Sequence, residues 1–228
     1  MQTLQLIIGN KNYSSWSMRP WVLMKALNLP FNEVKLRFDF TEGSPFRLAV
    51  AQVSPAGKVP VLVDDGFAVW DTLAITEYLH DKFPQAGVWP ADALQRARAR
   101  CLAAEMHAGF GDIRNHCPMN IEAEQSAAGA KVLAENKGVR GNLARVDEMW
   151  SAATKISGGP FLFGAFGGVD AMYAPMCMRV LGYGLPLSVP AQRYVDAVRQ
   201  HPAVAAWMHD ARSEADFLDF DEPYRKQR

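Results

Sequence analysis

The hydrophobic pattern changes kind at Pro84, and that change constrains the fold of this 228-residue chain more than any other feature. Before it, runs with a two-residue period alternate with runs at helical spacing; after it, helical spacing alone remains. Residues 3–9 (TLQLIIG) read as a strand, and residues 18–27 as a helix with Val22, Leu23 and Ala26 on one face. Residues 33–38 (EVKLRF) alternate polar and apolar, and residues 59–64 (VPVLVD) make a third strand. The Asp64-Asp65-Gly66 turn leads into a hairpin partner at 67–70, and Asp71 caps a helix running to about Lys82. The order β-α-β, loop, β-β-α predicts a small mixed sheet with helices on its faces. Pro60 cannot donate to a ladder, so it takes an edge or entry position. The Val59–Pro60 bond is either a trans edge proline or cis, the latter turning Val59's backbone groups outward toward a ligand.

The division is therefore an α/β domain at 1–84, a linker at 85–93 and an all-helical domain at 94–228. Helices are expected over 94–113, a region ending near Ser157, 169–181, 190–199 and 202–213. Leu143, Val146, Trp150 and Ala153 form one stripe with the spacing of a buried helix face. Pro190 and Pro202 suit first-turn positions.

Composition mainly excludes. Lys+Arg 24 against Asp+Glu 24 leaves no positive excess for a nucleic acid or an anionic membrane. No apolar run is long enough to span a bilayer, and the N-terminus lacks the basic start of a signal peptide. Cys101, Cys117 and Cys177 are odd in number and widely spaced, which fits a reducing cytoplasm better than a disulfide framework. The five histidines show no metal-ligand spacing, and the adjacent His116-Cys117 pair alone is no metal site.

Two segments carry candidate chemistry. In residues 12–20 (NYSSWSMRP), Pro20 indicates where the helix starts. With Ser17 as N-cap, Pro20 is the third helical residue and its missing N–H is harmless. With Ser14 as N-cap, Pro20 falls in the second turn at about 3 kcal/mol. Ser14 and Ser15 are thus expected in the loop before the helix, beside free amides that stabilise an anion. Turn and capping serines are the plain alternative. At the next helix, Asp71 can accept from an ammonium while Thr72 and nearby amides hold a carboxylate, as an amino-acid-like group requires. Asp71 as an ordinary N-cap is the plain alternative there.

These residues carry a resemblance to the glutathione transferase superfamily over nearly the whole chain. Residues 54–62 (SPAGKVPVL) resemble its NPxGxVPxL segment, whose proline is cis and whose preceding residue pairs with the cysteinyl backbone of glutathione. Trp70-Asp71-Thr72-Leu73-Ala74-Ile75 resembles the segment that binds the γ-glutamyl end. Residues 159–164 (GPFLFG), followed by Asp170, resemble the lead-in to the superfamily's buried helix, with Gly167 in place of the usual Ser or Thr cap. Tyr13-Ser14-Ser15-Trp16-Ser17-Met18-Arg19 is similar to the serine motif of the zeta class, with Trp16 where that motif has cysteine.

The resemblance implies a thioredoxin-like domain followed by a helical bundle. It also implies a homodimer that binds glutathione and a small electrophile. Ser14 would stabilise the glutathione thiolate, with Tyr13 as a rival hydroxyl, and Ser15, Lys58, Val59, Pro60, Asp71 and Thr72 would hold the peptide. No cysteine precedes residue 101, so the reactive sulfur would arrive with glutathione and no metal is needed. The electrophile's pocket is expected between the two halves, with Tyr13, Trp16, Phe110 and Arg114 facing it. Core packing of Phe110 and a surface Arg114 are the alternative. Conjugation, peroxide reduction, maleylacetoacetate-type isomerisation and a non-catalytic interaction module all remain open.

Overall fold

The computed structural model describes residues 4–228. Thr3, included in the expected first strand, lies outside them. The chain adopts the expected architecture, an α/β thioredoxin-like domain followed by an all-helical domain. Strands β1 (Leu4–Ile8), β2 (Phe31–Lys35), β3 (Val61–Asp64) and β4 (Phe67–Val69) form one mixed sheet in the order β2-β1-β3-β4. The β1–β2 pair is parallel, with Leu4 opposite Phe31, whereas β3 runs antiparallel to both β1 and β4. Asp65 and Gly66 both have positive φ at the β3–β4 turn, the geometry of the tightest hairpins. Helix α1 (Ser15–Ala26) lies between this sheet and the helical domain, and α3 (Thr72–Lys82) follows β4.

Several boundaries differ from the sequence reading. The second strand is Phe31–Lys35 rather than 33–38. It is an edge strand with mostly exposed side chains, so its alternation does not report a core face. Its ladder ends where Leu36 N donates to Ile8 O, and Asn10 Oδ1 then accepts from Phe38 N. The expected loop before β3 contains α2 (Pro45–Ala51), started by Ser44, whose hydroxyl accepts from Arg47 N, and by a first-turn proline. The Val59–Pro60 bond is cis and directly precedes β3.

The start of α1 is a correction. Ser14, not Ser17, occupies the N-cap position, Ser15 is already helical, and Pro20 lies inside the helix. Ser14's hydroxyl caps no amide; it donates to Ser17 Oγ at 2.7 Å, and Gly9 N donates to the same oxygen at 3.1 Å. Ser17 ties the helix to the end of β1. Burial of nearly the whole first turn and a half of α1 offsets the hydrogen bond that Pro20 cannot make.

The helical domain comprises α4 (Ala93–Ala108), α5 (Gly111–His116), α6 (Ser126–Glu135), α7 (Lys137–Ser157), α8 (Gly168–Gly182), α9 (Val189–Gln200) and α10 (Pro202–Ser213). The single helix expected over 94–113 breaks between α4 and α5, where Phe110 adopts φ 58. The region ending near Ser157 is two helices separated by Asn136, whose side chain accepts from Val139 N and caps the second. Leu143, Val146 and Trp150 of the predicted stripe are buried. Helix α8 is buried along its length and packs against α1, α4 and α9, so one apolar core runs through both halves. Asp170 accepts from Gly167 N at 3.0 Å and Leu162 N at 3.1 Å, closing the start of α8 although Gly167 offers no side chain as its cap. Beyond α10 the chain returns across the first domain, including a short 3-10 turn at Asp219–Asp221. Among the described residues, no helix is long and apolar enough to cross a membrane.

Candidate active site

A cleft of about 700 Å³ opens between the sheet domain and the helices. One wall comes from four stretches of the first domain: Ser14, Ser15 and Trp16 at the start of α1, the rings of Phe38, Phe40 and Phe46, the segment from Ala56 to Pro60, and Trp70 with Asp71. The opposite wall carries Arg114, Pro118, Met119 and Arg179, and the C-terminal segment adds Phe220 and Asp221. Of the residues predicted from sequence, Tyr13, Ser14, Ser15, Trp16, Lys58, Val59, Pro60, Asp71 and Arg114 line this space.

Thr72 and Phe110 are not among the lining residues. Phe110 is buried, its left-handed backbone turning the ring into the core, 6.3 Å from Tyr173. That corrects its assignment to the pocket. Thr72 is fully buried at the first position of α3, and its hydroxyl has no hydrogen-bond partner among the described residues. Asp71 caps α3, accepting from Leu73 N at 3.1 Å, and its other carboxylate oxygen faces His107 Nε2 of α4 at 3.3 Å. His107 therefore links the two halves beside the cleft, and its ring meets the Trp16 ring edge-on at 5.2 Å.

The hydroxyls of Tyr13 and Ser14 have different surroundings. Tyr13 OH donates to Glu222 Oε1 at 2.7 Å and to Asp216 O at 3.1 Å. Burial, followed by the Glu222 carboxylate, pushes the phenol up to about 12. It anchors the C-terminal segment and is poorly suited to stabilising a second anion. The Ser14 hydroxyl has one hydrogen-bond partner among the described residues, the Ser17 hydroxyl, which can rotate. Asn12 and Asn120 complete this anchor: Asn12 Nδ2 donates to Asn120 Oδ1, and Asn120 Nδ2 donates to Glu222. Cys117 is buried, and burial pushes its thiol up to about 11, so it packs as a small apolar residue and is not a nucleophile.

The sequence reading missed Arg19 and Arg179. Arg179 is buried in α8, donating from Nε to Cys117 O at 2.9 Å, from Nη1 to Pro175 O at 3.3 Å and from Nη2 to Ser15 Oγ at 3.3 Å. An arginine inside the apolar run 169–181 was the available signal, since a guanidinium among buried positions needs partners. Among the described residues, no group of three or more His, Cys, Asp or Glu is arranged to hold a metal ion.

Comparison with known proteins gives the family. The model for the glutathione S-transferase N-terminal domain matches residues 13–82, and the model for the C-terminal domain of the same family matches residues 121–210. Together they cover more than two thirds of the chain. The chain belongs to the glutathione transferase superfamily. A dichloromethane dehalogenase of Methylorubrum extorquens is 41% identical over 29% of this chain and 23% of its own length. A probable maleylacetoacetate isomerase of Caenorhabditis elegans is 31% identical over 44% of this chain and 45% of its own length. The matches thus span less than half of either relative. Among solved structures, a glutathione transferase homologue from Burkholderia, with bound glutathione, superposes with a TM-score of 0.69 at 24% identity. It covers 93% of this chain and 100% of its own, and supports the same fold for this family member.

Proposed function

We propose that the protein is a glutathione transferase: residues 1–84 hold glutathione and residues 94–228 hold a small electrophile. The observation that carries this reading is the convergence of Ser14, Val59 and Asp71, from three separate segments, on one wall of the cleft. In this arrangement the backbone of Val59 pairs with the cysteinyl unit, Asp71 accepts from the γ-glutamyl ammonium, and Lys58 takes the glycyl carboxylate. Ser15 and the amides near Thr72 serve the remaining polar groups. Two relatives named for dehalogenation and isomerisation make electrophile chemistry the natural setting, and peroxide reduction would use the same thiolate.

Ser14 is the proposed thiolate stabiliser. Ser17 Oγ accepts from Gly9 N and retains its own proton. Rotation of the two hydroxyls lets Ser17 donate to Ser14 while Ser14 donates to the incoming sulfur. A free thiol near pKa ~8.5 is about 3% ionised at pH 7. Lowering it by ~2 units is worth about 2.7 kcal/mol and raises the thiolate fraction roughly 25-fold. Lower basicity reduces nucleophilicity about 8-fold, leaving a net gain of roughly threefold. Positioning of the electrophile supplies most of any larger acceleration. The thiol proton leaves to solvent, sulfur bonds to the electrophilic carbon, and the leaving group departs with its electron pair.

Titrating the absorbance of bound thiolate tests this reading. Ser14→Ala is expected to raise the midpoint by about 2 units and to lose activity chiefly at low pH, recovering near pH ~9. Equal losses at both ends of the range would reject activation by Ser14. Tyr13→Phe is expected to leave the midpoint in place, because its hydroxyl is already bound to Glu222. A Tyr13→Phe midpoint that rose instead would transfer the role to Tyr13. Failure of the protein to bind glutathione at all would overturn the transferase assignment itself.

A further inference from the structure

Helix α4 brings His107 across to the sheet domain at the point where Asp71 caps α3. The two helices run antiparallel: about two turns before His107 on α4, Arg100 pairs with Glu77, which lies further along α3. That outer pair is well exposed and marks register more than it adds energy. The inner pair differs because one of its members, Asp71, lines the cleft. Asp71 Oδ1 accepts from Leu73 N at 3.1 Å, and Oδ2 lies 3.3 Å from His107 Nε2. Capping a helix needs only one of those oxygens, so it leaves the donor that approaches the second from another domain unexplained. A carboxylate offers about four acceptor positions. The Leu73 and His107 contacts fix its plane and leave positions free for a further donor from the cleft.

His107 is itself held from several sides. Its ring meets the Trp16 ring edge-on at 5.2 Å, and the guanidinium groups of Arg19 and Arg114 lie 4.1 Å and 5.0 Å from that indole's centroid. Arg114 Nη1 donates to the His107 carbonyl at 3.2 Å and to that of Gly109 at 3.1 Å, which ties off the last turn of α4. The ring's Nδ1 is buried and has no hydrogen-bond partner among the described residues. A proton on Nε2 therefore serves both ends of the ring. It supplies the donor facing Asp71, and it leaves a lone pair at Nδ1 rather than a stranded N–H. The Asp71 side chain is 52% exposed, so without His107 the Leu73 amide alone would restrain it. Ordering the carboxylate before a ligand arrives removes that cost from binding.

We propose that His107 is a positioning residue for the thiol peptide: held by the helical domain, it fixes the Asp71 carboxylate that accepts the γ-glutamyl ammonium. The free amino end of the peptide is then recognised through residues of both domains, and their docking sets the affinity of the first domain for glutathione. His107 is not among the residues lining the cleft, so its effect passes through Asp71 and falls on binding, not on the chemical step. The proposal rests on the transferase reading of the cleft.

Isothermal titration calorimetry with glutathione and with its des-amino analogue, in which hydrogen replaces the γ-glutamyl ammonium, reads the preference for the free amine. In the unaltered protein that preference is expected to be about tenfold or more, the size of one hydrogen bond between charged groups. His107→Ala is expected to weaken glutathione about fivefold and the analogue hardly at all, so the preference falls by the same factor. KM for glutathione rises in step, while kcat at saturating glutathione stays within about twofold. His107→Gln, whose amide nitrogen reaches the place of Nε2, is expected to recover most of the preference; His107→Asn, whose amide falls at the place of Nδ1, is not. Damage to packing weakens both ligands together. An unchanged preference in His107→Ala and His107→Asn therefore overturns the proposal, as does a loss confined to kcat. Glutathione binding by the unaltered protein with no preference over the analogue removes the roles of His107 and Asp71 but leaves the transferase reading standing. Binding of neither ligand overturns both.

Discussion

Truncation of Lys11 to alanine is expected to lower folding stability by about 3 kcal/mol. Lys11 is 3% exposed, and its ammonium lies 2.8 Å from Glu33 Oε2 and 2.6 Å from Asp210 Oδ2. It also stands 4.5 Å from the Trp21 ring centroid and 5.4 Å from that of Trp207. One side chain thus joins edge strand β2, helix α1 and helix α10. Both carboxylates keep access to solvent, which holds the loss near the lower end of the range for a broken buried pair. The same residue fixes the site loop: its backbone N donates to Glu214, and Trp207 Nε1 donates to its carbonyl oxygen. Urea denaturation at neutral pH measures the loss. Lys11→Met, which keeps an apolar stem between the indoles, is expected to retain about half of it. A loss below about 1 kcal/mol in Lys11→Ala would show that the ion pairs contribute no more than exposed ones.

Asp170→Ala is expected to have a similar effect, about 3 kcal/mol, by leaving the N–H groups of Leu162 and Gly167 without their charged acceptor. The carboxyl is fully buried, and burial raises it from 3.8 to about 6 even though those amides act to lower it. The sign of the pH dependence follows. A carboxyl raised in the folded state contributes stability that is fully present below pH 3.8 and is lost as pH rises through about 6. The total is about 3 kcal/mol. Asp170→Asn removes this contribution, so the stability difference between wild type and Asp170→Asn should shift toward the variant as pH rises from 4 to 7. A constant difference across that window would place the Asp170 titration outside it. Thermal melts of both proteins at several pH values decide the matter.

Features that depend on near neighbours were legible in the sequence. The Asp-Gly turn, the Asp71 cap, the first-turn prolines of α9 and α10 and the stripe of α7 rest on contacts within a turn or two, which local spacing encodes. The start of α1 was misread for the opposite reason. Local rules place the cap at Ser17 to accommodate Pro20, but Ser17's hydroxyl is held by Gly9, and packing against α8 outweighs one missing hydrogen bond. Phe110 was assigned to the pocket because it lies near the end of the long helix expected over 94–113, a place that fits a wall. The left-handed backbone that turns it inward has no local signature, since bulky residues rarely adopt it.

The candidate site divides along the same line. Ser14, Lys58, Val59, Pro60 and Asp71 belong to short contiguous segments whose chemistry can be read residue by residue, and all five line the cleft. The sequence by itself therefore determined the two-part architecture and the cleft wall proposed to hold glutathione, because periodicity and local motifs are properties of neighbouring residues. Only the tertiary structure decided that Tyr13 is bound to Glu222, that Arg19 and Arg114 both lie against Trp16, and that Arg179 comes close enough to repel Arg19. The chain separates Arg19 from Arg179 by many turns of helix, and their mutual repulsion exists only once α1 packs against α8. Charges that meet through packing leave no periodic trace in the sequence, whereas the energy of bringing them together depends on distance in space.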